Sequence, residues 1–444
     1  MFPTARWSAV TSSGRPTMLL TIQTLVVAGL HKYTSGHRSF GRGPFIGSHH
    51  AELQMNRRSN RIALQLALFV VVLLVILLFT RKQTSNRHFS WRTVRYTTKS
   101  AIPKSRGKCP GLSNRSRPAL VVSRVQADGD TTWLSKLEDS YSYHLCVYTA
   151  DAAPSKDTTY LQVPANHGHE AMAYLTFLID NYDDVPAAGA VFVHGTRYAW
   201  HNDHPEYDNL ALLLALNVSS AVEADGYHNL RCDWSVGTCP YNTRSQASME
   251  TALQAATEPW NARAVSDKAL QGALQALFRH EGEQSTDSTE GKSTIESSDT
   301  VRSQCCAQFV VSRESIWQHS REEYIALRQW LLDGNSRGDS SKTAAPKDDR
   351  VSGRIFSYLW HILFLQHQHT EMSALEGQEN GLDLEQLNHR ACPSAAECYC
   401  RLYGRCDLQG CSAGSCRGQY SVPPKFKLPD DWAYVVAANG KTVV

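Results

Sequence analysis

The segment of residues 163–204 constrains the fold most, because it contains in order a turn, a helix, a second turn, a buried strand and a polar loop. Met172 and Leu175 belong to an apolar face at helical spacing, and Glu170 suits the first turn of that helix. The short apolar run Ala190–His194 is typical of a central strand. Strand, helix and strand at this spacing form a βαβ unit. The sequence therefore predicts an α/β fold, with a parallel-sheet core and covering helices.

Other segments extend this prediction on both sides. Residues 119–125 and His144–Thr149 are predicted strands, and residues 308–311 lead into a helix. Further helices are predicted over residues 207–216, 248–278 with a break at Pro259, 314–332 and 355–365. Residues 281–300 and 335–352 are polar inserts that we expect to be disordered. The α/β domain then covers residues 119–411, and residues 412–444 form a tail.

The N-terminal quarter has a different composition from the rest of the chain. Residues 1–108 carry 17 Lys/Arg and one acidic residue, a net charge of +16, whereas the remainder carries 28 Lys/Arg and 41 Asp/Glu, a net of −13. Residues 62–80 are 19 residues without a charge, flanked by Arg61 and Arg81. This pattern predicts one transmembrane helix between a basic, mostly disordered region (residues 1–61) and a basic stem (residues 81–118). A cleaved signal sequence is the alternative. The acidic folded part argues against nucleic acid as a partner.

Two signals orient this predicted anchor with the domain in the secretory lumen. Asn114 and Asn217 begin glycosylation sequons after the apolar run. All 12 cysteines also follow it, which favours an oxidising compartment. The flanking basic residues, four before and six after, do not favour this orientation. We expect a single-pass type II membrane protein whose domain faces the lumen of the secretory pathway or Golgi.

The cysteine clusters predict disulfide bonds. The candidates are Cys232, Cys239, Cys392, Cys398, Cys400 and Cys406. Cys232 and Cys239 could close the loop between them, and zinc is not expected because C-x₂-C pairs are absent.

Three residues are candidates for catalysis. Glu170 near a helix N-terminus could act as a general base, although a helix-capping acid is the alternative. His194 ends an apolar strand, where it would point toward the usual ligand crevice or be satisfied by backbone carbonyls. Asp203 is the acid close to that strand.

The polar loop after the strand is also a candidate metal site. His201, Asp203 and His204 place two imidazoles and a carboxylate within four residues, with His194 as a third nitrogen ligand. Such ligands suit a divalent metal ion such as Zn²⁺, Mn²⁺ or Fe²⁺. A solvated polar loop is the alternative.

Further candidates lie outside this segment. Arg231 could grip a phosphate or carboxylate, or pair with a structural aspartate, and Asn229 stands close to it. His361 lies in an aromatic run, which favours a core histidine over a site residue. Asn229, Arg231 and His361 stay candidates for substrate binding, together with Asn166 and Trp200.

Several blocks together resemble one known family. They lie at residues 166–175, 191–195, 200–203, 226–232, 306–309, 358–361 and 398–400. In this pattern the chain is similar to the fungal domain of unknown function family 3431, whose activity is not established. The strand followed by Trp133-Leu134, and the later strand ending in a polar loop, also resemble nucleotide-sugar glycosyltransferases of the A type. The chain departs from that pattern because no Asp-x-Asp follows the Ala190–His194 strand.

These observations support three hypotheses. The first is a lumenal glycosyltransferase-like enzyme with a sugar or nucleotide-sugar ligand. The second is a non-catalytic binding or scaffold protein, and the third is a metal-dependent tailoring enzyme that uses the His/Asp loop.

Overall fold

The computed structural model describes residues 61–74, 88–98, 100–114, 116–140, 142–151, 160–199, 202–279, 292–335, 343–366 and 382–419. The chain divides into two units, Met1–Gln83 and Thr84–Val444. In the first unit, residues 61–74 form a helix whose side chains are exposed along its whole length. Among the described residues, no helix combines the length and the apolarity that a membrane crossing requires. Residues 75–80 of the predicted anchor lie outside the described residues.

The second unit is built on a six-stranded sheet of order β4-β3-β2-β5-β7-β6. Its strands are β2 (Ala119–Arg124), β3 (His144–Thr149), β4 (Leu161–Gln162), β5 (Ala190–His194), β6 (Tyr227–Asn229) and β7 (Phe309–Val311). A second sheet pairs β1 (His88–Phe89) with β8 (Leu382–Asp383).

The large sheet is mixed. Five of its strands are parallel, and β7 runs antiparallel to both of its neighbours. The predicted parallel-sheet core therefore holds for five strands, and β7 departs from it. The chain comes to β7 from the edge at which the parallel strands end, so β7 has to run in the opposite direction.

Helices cover both faces of this sheet. They are α1 (Ser135–Asp139), α2 (Glu170–Asp180), α3 (Asn209–Ala215), α4 (Val218–Val222), α5 (Met249–Thr257), α6 (Ala262–Phe278), α7 (Arg313–Ile316), α8 (Arg321–Asn335), α9 (Asp349–Phe364), α10 (Leu384–Ala391) and α11 (Ala395–Tyr403). The larger core cluster lies between one face and α2, α6, α8 and α9. The smaller cluster lies between the other face and α1, α3, α4 and α11. The domain therefore has three layers, α/β/α.

The strands show why both faces are covered. Val121 and Phe192 belong to the larger cluster, whereas their neighbours Leu120 and Val191 belong to the smaller one. Because successive side chains of a strand point to opposite faces, an uninterrupted apolar strand needs a layer on each side. Aromatic rings fill the larger core, where Phe192 stacks on Phe309 with centroids 4.8 Å apart.

Packing begins earlier in the chain than the sequence indicated. Trp91 lies in the predicted stem, yet it is fully buried and its indole N–H donates to the Ser293 carbonyl at 3.1 Å. Ile295 and Ala345 are likewise buried, within the stretches predicted as disordered inserts. Residues 281–291 and 336–342 of these inserts lie outside the described residues. Isolated apolar residues in polar segments carry no periodicity, so this packing could not be predicted from the sequence.

Candidate functional site

The strand order creates one natural ligand crevice. From β2 the chain continues to β3 and β4 on one side, and then crosses to β5 on the other side of β2. The carboxyl ends of β2 and β5 are neighbours, with Ser123 paired to His194. In open α/β sheets, ligands bind outside the carboxyl ends of the strands at such a switch in strand order. We call this place the β2–β5 edge.

Arg124, the last residue of β2, lies at this edge. It is 9% exposed, its Nη2 donates to the Gly129 carbonyl at 3.4 Å, and its guanidinium lies 4.5 Å from the ring centre of Tyr160. Its Nε has no hydrogen-bond partner among the described residues. A buried cation with an unused donor costs free energy unless an anion or water completes it. Arg124 is therefore suited to receive an anionic ligand.

The segment after β5 passes directly against Arg124. The Gly195 amide donates to the Ser123 carbonyl at 2.7 Å, and a side chain at Gly195 would come within 2.5 Å of the Arg124 Cβ. The next residue, Thr196, donates its hydroxyl to Asp128 Oδ1 at 2.8 Å. Asp128 Oδ2 accepts from the Val125 amide at 2.9 Å. The loops after β2 and β5 are thus joined through the half-buried carboxylate of Asp128.

His194 ends β5 as the sequence predicts. Its Nε2 lies 2.8 Å from the Cys306 carbonyl oxygen, and its backbone amide donates to Gln308 Oε1 at 3.2 Å. Because a carbonyl oxygen only accepts, Nε2 carries the hydrogen. This contact is the one expected for a histidine satisfied by a backbone carbonyl. Two residues before Cys306, Gln304 is 2% exposed, and neither Oε1 nor Nε2 of its side chain has a hydrogen-bond partner among the described residues.

Asp203 lies inside the protein rather than in an open cleft. It is 1% exposed, and its Oδ2 accepts from the amides of Cys232 and, at 3.1 Å, Asp233. Burial raises the pKa of Asp203, and the Arg231 guanidinium, 3.8 Å away, opposes this rise. Asp203 therefore fastens the loop after β5 to the loop after β6.

Arg231 and Asn229 serve the same loop. Arg231 Nη2 lies 3.4 Å from Asp233 Oδ1, so the pairing with a structural aspartate is the one observed. Asn229 Oδ1 accepts from the Arg231 amide at 2.9 Å. Gln419, in the predicted tail, donates to Asp233 Oδ2 at 2.6 Å. All four side chains are buried, which indicates a structural network.

The described residues do not assemble the predicted metal site. His201 and Trp200 lie outside the described residues. His204 is fully buried, and its Nδ1 accepts from the amides of Glu206 at 3.2 Å and Asp208 at 3.4 Å. Burial lowers the pKa of His204 to about 4, so the ring is neutral and acts as an acceptor for its own loop.

A different group has metal-ligand composition. Among the described residues, Cys109, His144 and Cys146 bring their ligand atoms within 4.8 Å of one another. Cys109 and Cys146, however, form a disulfide. His144 Nε2 lies 2.9 Å from the Pro110 carbonyl oxygen. This group is therefore structural, because thiolates are needed to bind a metal ion.

Glu170 and Asn166 lie in a second polar cluster, where α2 and α9 begin. Glu170 is half-buried and Asn166 is exposed. Between them, Gly168 donates its amide to Asp349 Oδ1, and His169 Nε2 lies 3.3 Å from Asp349 Oδ2. Asp349 thus joins the two helix N-termini, where a negative charge is favourable.

His361 lies within α9 and is 2% exposed. Both of its ring nitrogens lack hydrogen-bond partners among the described residues, and burial lowers its pKa to about 3. It is a core histidine, as the aromatic run indicated.

All six cysteines predicted to form disulfides do so. The pairs are Cys232–Cys398, Cys239–Cys392 and Cys400–Cys406, to which the structure adds Cys109–Cys146, Cys305–Cys306 and Cys411–Cys416. The suggested closure of Cys232 onto Cys239 is wrong. Each of the two is joined instead to the region of α10 and α11, more than 150 residues further on.

One sequon asparagine is a helix cap. Asn217 is exposed, and its side chain accepts from the Ser220 amide at 3.1 Å at the start of α4. The side chain of Asn114 lies outside the described residues. Glycosylation of either residue stays a prediction.

The residues at the β2–β5 edge were missed from the sequence, although signals were present. Arg124 is a charged residue that ends an apolar strand, and Asp128 follows it in a polar turn. Gly195 comes directly after the strand-ending His194. The sequence pointed instead to the His/Asp loop after β5, and most of the described residues of that loop are buried.

The fold and the edge define the class of this protein, a three-layer α/β domain with a polar crevice at a switch in strand order. A sequence profile described as "Protein of unknown function (DUF3431)" matches residues 120–401. Since this is more than half of the chain, the protein belongs to that family. No curated protein and no solved structure matches the chain.

Proposed function

We propose that the domain is a glycosyltransferase-like enzyme that binds a nucleotide sugar at the β2–β5 edge. The observation that carries this proposal is Arg124, a buried cation with an unused Nε at the switch in strand order. Arginine is well suited to diphosphate, because its planar donors match two phosphate oxygens at once.

Neighbouring groups suit the rest of such a ligand. The Asp128 carboxylate is half-buried and fixed by two donors, which leaves lone pairs to accept a sugar hydroxyl. Tyr160 covers the Arg124 guanidinium and bonds through its hydroxyl to Thr131 at 2.8 Å. We assign no catalytic role to Asp203, because its carboxylate is buried in the loop network.

The test is binding of a panel of nucleotide sugars to the full chain by calorimetry, with Mn²⁺ and with a chelator. Arg124→Ala is expected to weaken binding about 10- to 100-fold, the value of a hydrogen-bonded charge. Arg244→Ala is the matched control, because Arg244 is exposed and pairs with the exposed Glu250 at 3.2 Å.

Two results would overturn the proposal. One is the absence of binding across the whole panel, in both metal conditions. The other is equal affinity of the Arg124→Ala protein and the wild type. Comparison of the Mn²⁺ and chelator arms decides whether a divalent metal ion takes part.

We further propose that one membrane helix holds this domain on the lumenal side of the secretory pathway. The described helix of residues 61–74 has exposed apolar side chains, and the uncharged sequence continues to Thr80. An apolar run of this length is close to the thickness of a bilayer. The six disulfides favour an oxidising compartment.

Glycosylation tests this orientation. Ser219→Ala removes the sequon of Asn217 and leaves the helix cap intact, so the protein should keep its stability and lose one glycan. Ser116→Ala removes the sequon of Asn114 and should also lose one glycan. If glycosidase treatment shifts neither the wild type nor the variants on a gel, the sequons give no support to a lumenal domain. Protease digestion of the domain in sealed microsomes would then contradict that orientation.

A further inference from the structure

The disulfide between the adjacent residues Cys305 and Cys306 lies just before β7. Both cysteines are half-buried. The other ten cysteines of the chain pair among themselves. The adjacent pair therefore has no other partner within the chain.

This segment connects the ends of two other strands. The Cys306 carbonyl oxygen lies 2.8 Å from His194 Nε2 at the end of β5. Two residues further, the Gln308 side chain accepts from the His194 amide, and its carbonyl accepts from the Leu230 amide at 2.8 Å after β6. Residues 305–308 thus hold the His194 ring and its backbone amide.

The backbone here is held in an uncommon conformation. Cys306 has φ of 92° and Ala307 has φ of 47°, in the region that L residues rarely adopt. The segment is also fixed upstream, because Thr238 and Ser303 exchange hydrogen bonds through the Thr238 amide at 2.8 Å and the Ser303 amide at 2.9 Å. Such conformations persist only where surrounding constraints enforce them, and they concentrate at functional sites. A covalent ring between adjacent residues is such a constraint.

We infer that the Cys305–Cys306 disulfide is a reducible lock that positions His194 at the edge of the sheet. Its chemistry is thiol–disulfide exchange with a dithiol. One thiolate attacks a cysteine sulfur to form a mixed disulfide, and the second thiol then releases it. The dithiol becomes a disulfide. Cys305 and Cys306 receive its two electrons and two protons and become thiols.

Reduction frees the backbone of Cys306 and Ala307 to return to negative φ. The Cys306 carbonyl then moves away from His194 Nε2, and the start of β7 loosens. Any effect on turnover rests on the proposed function, whereas the structural effect on His194 does not.

The experiment compares hydrogen exchange in two double variants of the full chain. In Cys305→Ser/Cys306→Ser, we expect exchange about tenfold faster in peptides covering residues 190–196, 227–231 and 303–311. Peptides covering Ala119–Arg124 and His144–Thr149 should be unchanged. The matched control is Cys411→Ser/Cys416→Ser, which removes another short-loop disulfide. It should not speed exchange in residues 190–196 and 303–311 relative to Ala119–Arg124 and His144–Thr149.

A second measurement covers the case in which the double variant fails to fold. Wild-type protein is titrated with a dithiol, and the thiols are alkylated and mapped. The lock predicts that labelling of Cys305 and Cys306 rises together with exchange in residues 190–196. Free thiols at these positions before reduction, or their full reduction without faster exchange there, would overturn the inference. Neither readout uses a nucleotide sugar, so the proposed function can fail independently.

Discussion

At the scale of single residues, the β2–β5 edge depends on a position without a side chain. A Cβ at Gly195 would lie 2.5 Å from the Arg124 Cβ and 2.9 Å from its Cα. Neither atom is the far end of a flexible chain, so the strands have to separate. Overpacking of this kind typically costs about 1–3 kcal/mol.

Gly195→Ala should therefore lower the free energy of unfolding by about 1–3 kcal/mol, as measured by chemical denaturation. Gly272→Ala is the control. Gly272 lies on the exposed side of α6 with no atom near its Cβ position, and alanine there should raise the free energy of unfolding by about 0.5–1 kcal/mol. Equal stability of the two variants would contradict the close contact between Gly195 and Arg124.

Buried histidines give the domain a predictable pH response. Burial lowers the pKa of His361 to about 3 and the pKa of His204 and His228 to about 4. The unfolded chain binds these protons near pH 6.5, before the folded protein does. This stabilisation is fully present above pH 6.5 and is lost as the pH falls toward 4, by up to about 1.4 kcal/mol per pH unit for each histidine.

His361→Leu should remove one of the protons bound on unfolding between pH 6.5 and 4. The free energy of unfolding should then change less steeply with pH, as measured by denaturation at a series of pH values. It should also raise stability at pH 7 by about 1 kcal/mol, because no unpartnered ring nitrogen stays buried. His361→Gln should reduce the slope without the gain at pH 7. A slope unchanged in both variants would contradict the burial of a neutral ring.

At the scale of elements, the disulfides differ in the length of chain that they enclose. Cys239–Cys392 joins residues 153 apart in sequence, whereas Cys411–Cys416 joins residues 5 apart. In the chain-entropy description, a loop of the first size contributes about 5 kcal/mol and one of the second size about 2 kcal/mol.

Cys239→Ser/Cys392→Ser should therefore lose clearly more stability than Cys411→Ser/Cys416→Ser under non-reducing denaturation. Both variants remove one bond and two sulfurs, so the difference reports loop length and position. Equal losses of stability in the two variants would contradict a contribution that grows with loop length.

The strands also show which parts of the fold can be predicted from the sequence. β3 and β5 have the predicted bounds, because uninterrupted apolar runs identify buried strands. The direction of β7 was missed, since three apolar residues carry no information about the edge from which the chain arrives. Arg124 was missed for a related reason, because the pairing that sets it against Gly195 joins strands about 70 positions apart.

At the scale of the whole molecule, two groups of polar residues compete for the role of active site. One is the β2–β5 edge with Arg124 and Asp128. The other is the cluster of Glu170 and Asp349, where α2 and α9 begin. The sequence favoured Glu170 because one helix could be recognised, but the partner helix of this cluster begins about 180 residues later.

Hydrogen exchange of the full chain with and without a saturating nucleotide sugar decides between these two places most directly. Binding at the β2–β5 edge predicts slower exchange in peptides covering residues 123–131 and 195–197, with no change in residues 166–170 and 349–353. Protection of residues 166–170 and 349–353 instead, or no protection anywhere, would contradict the assignment of the site to this edge.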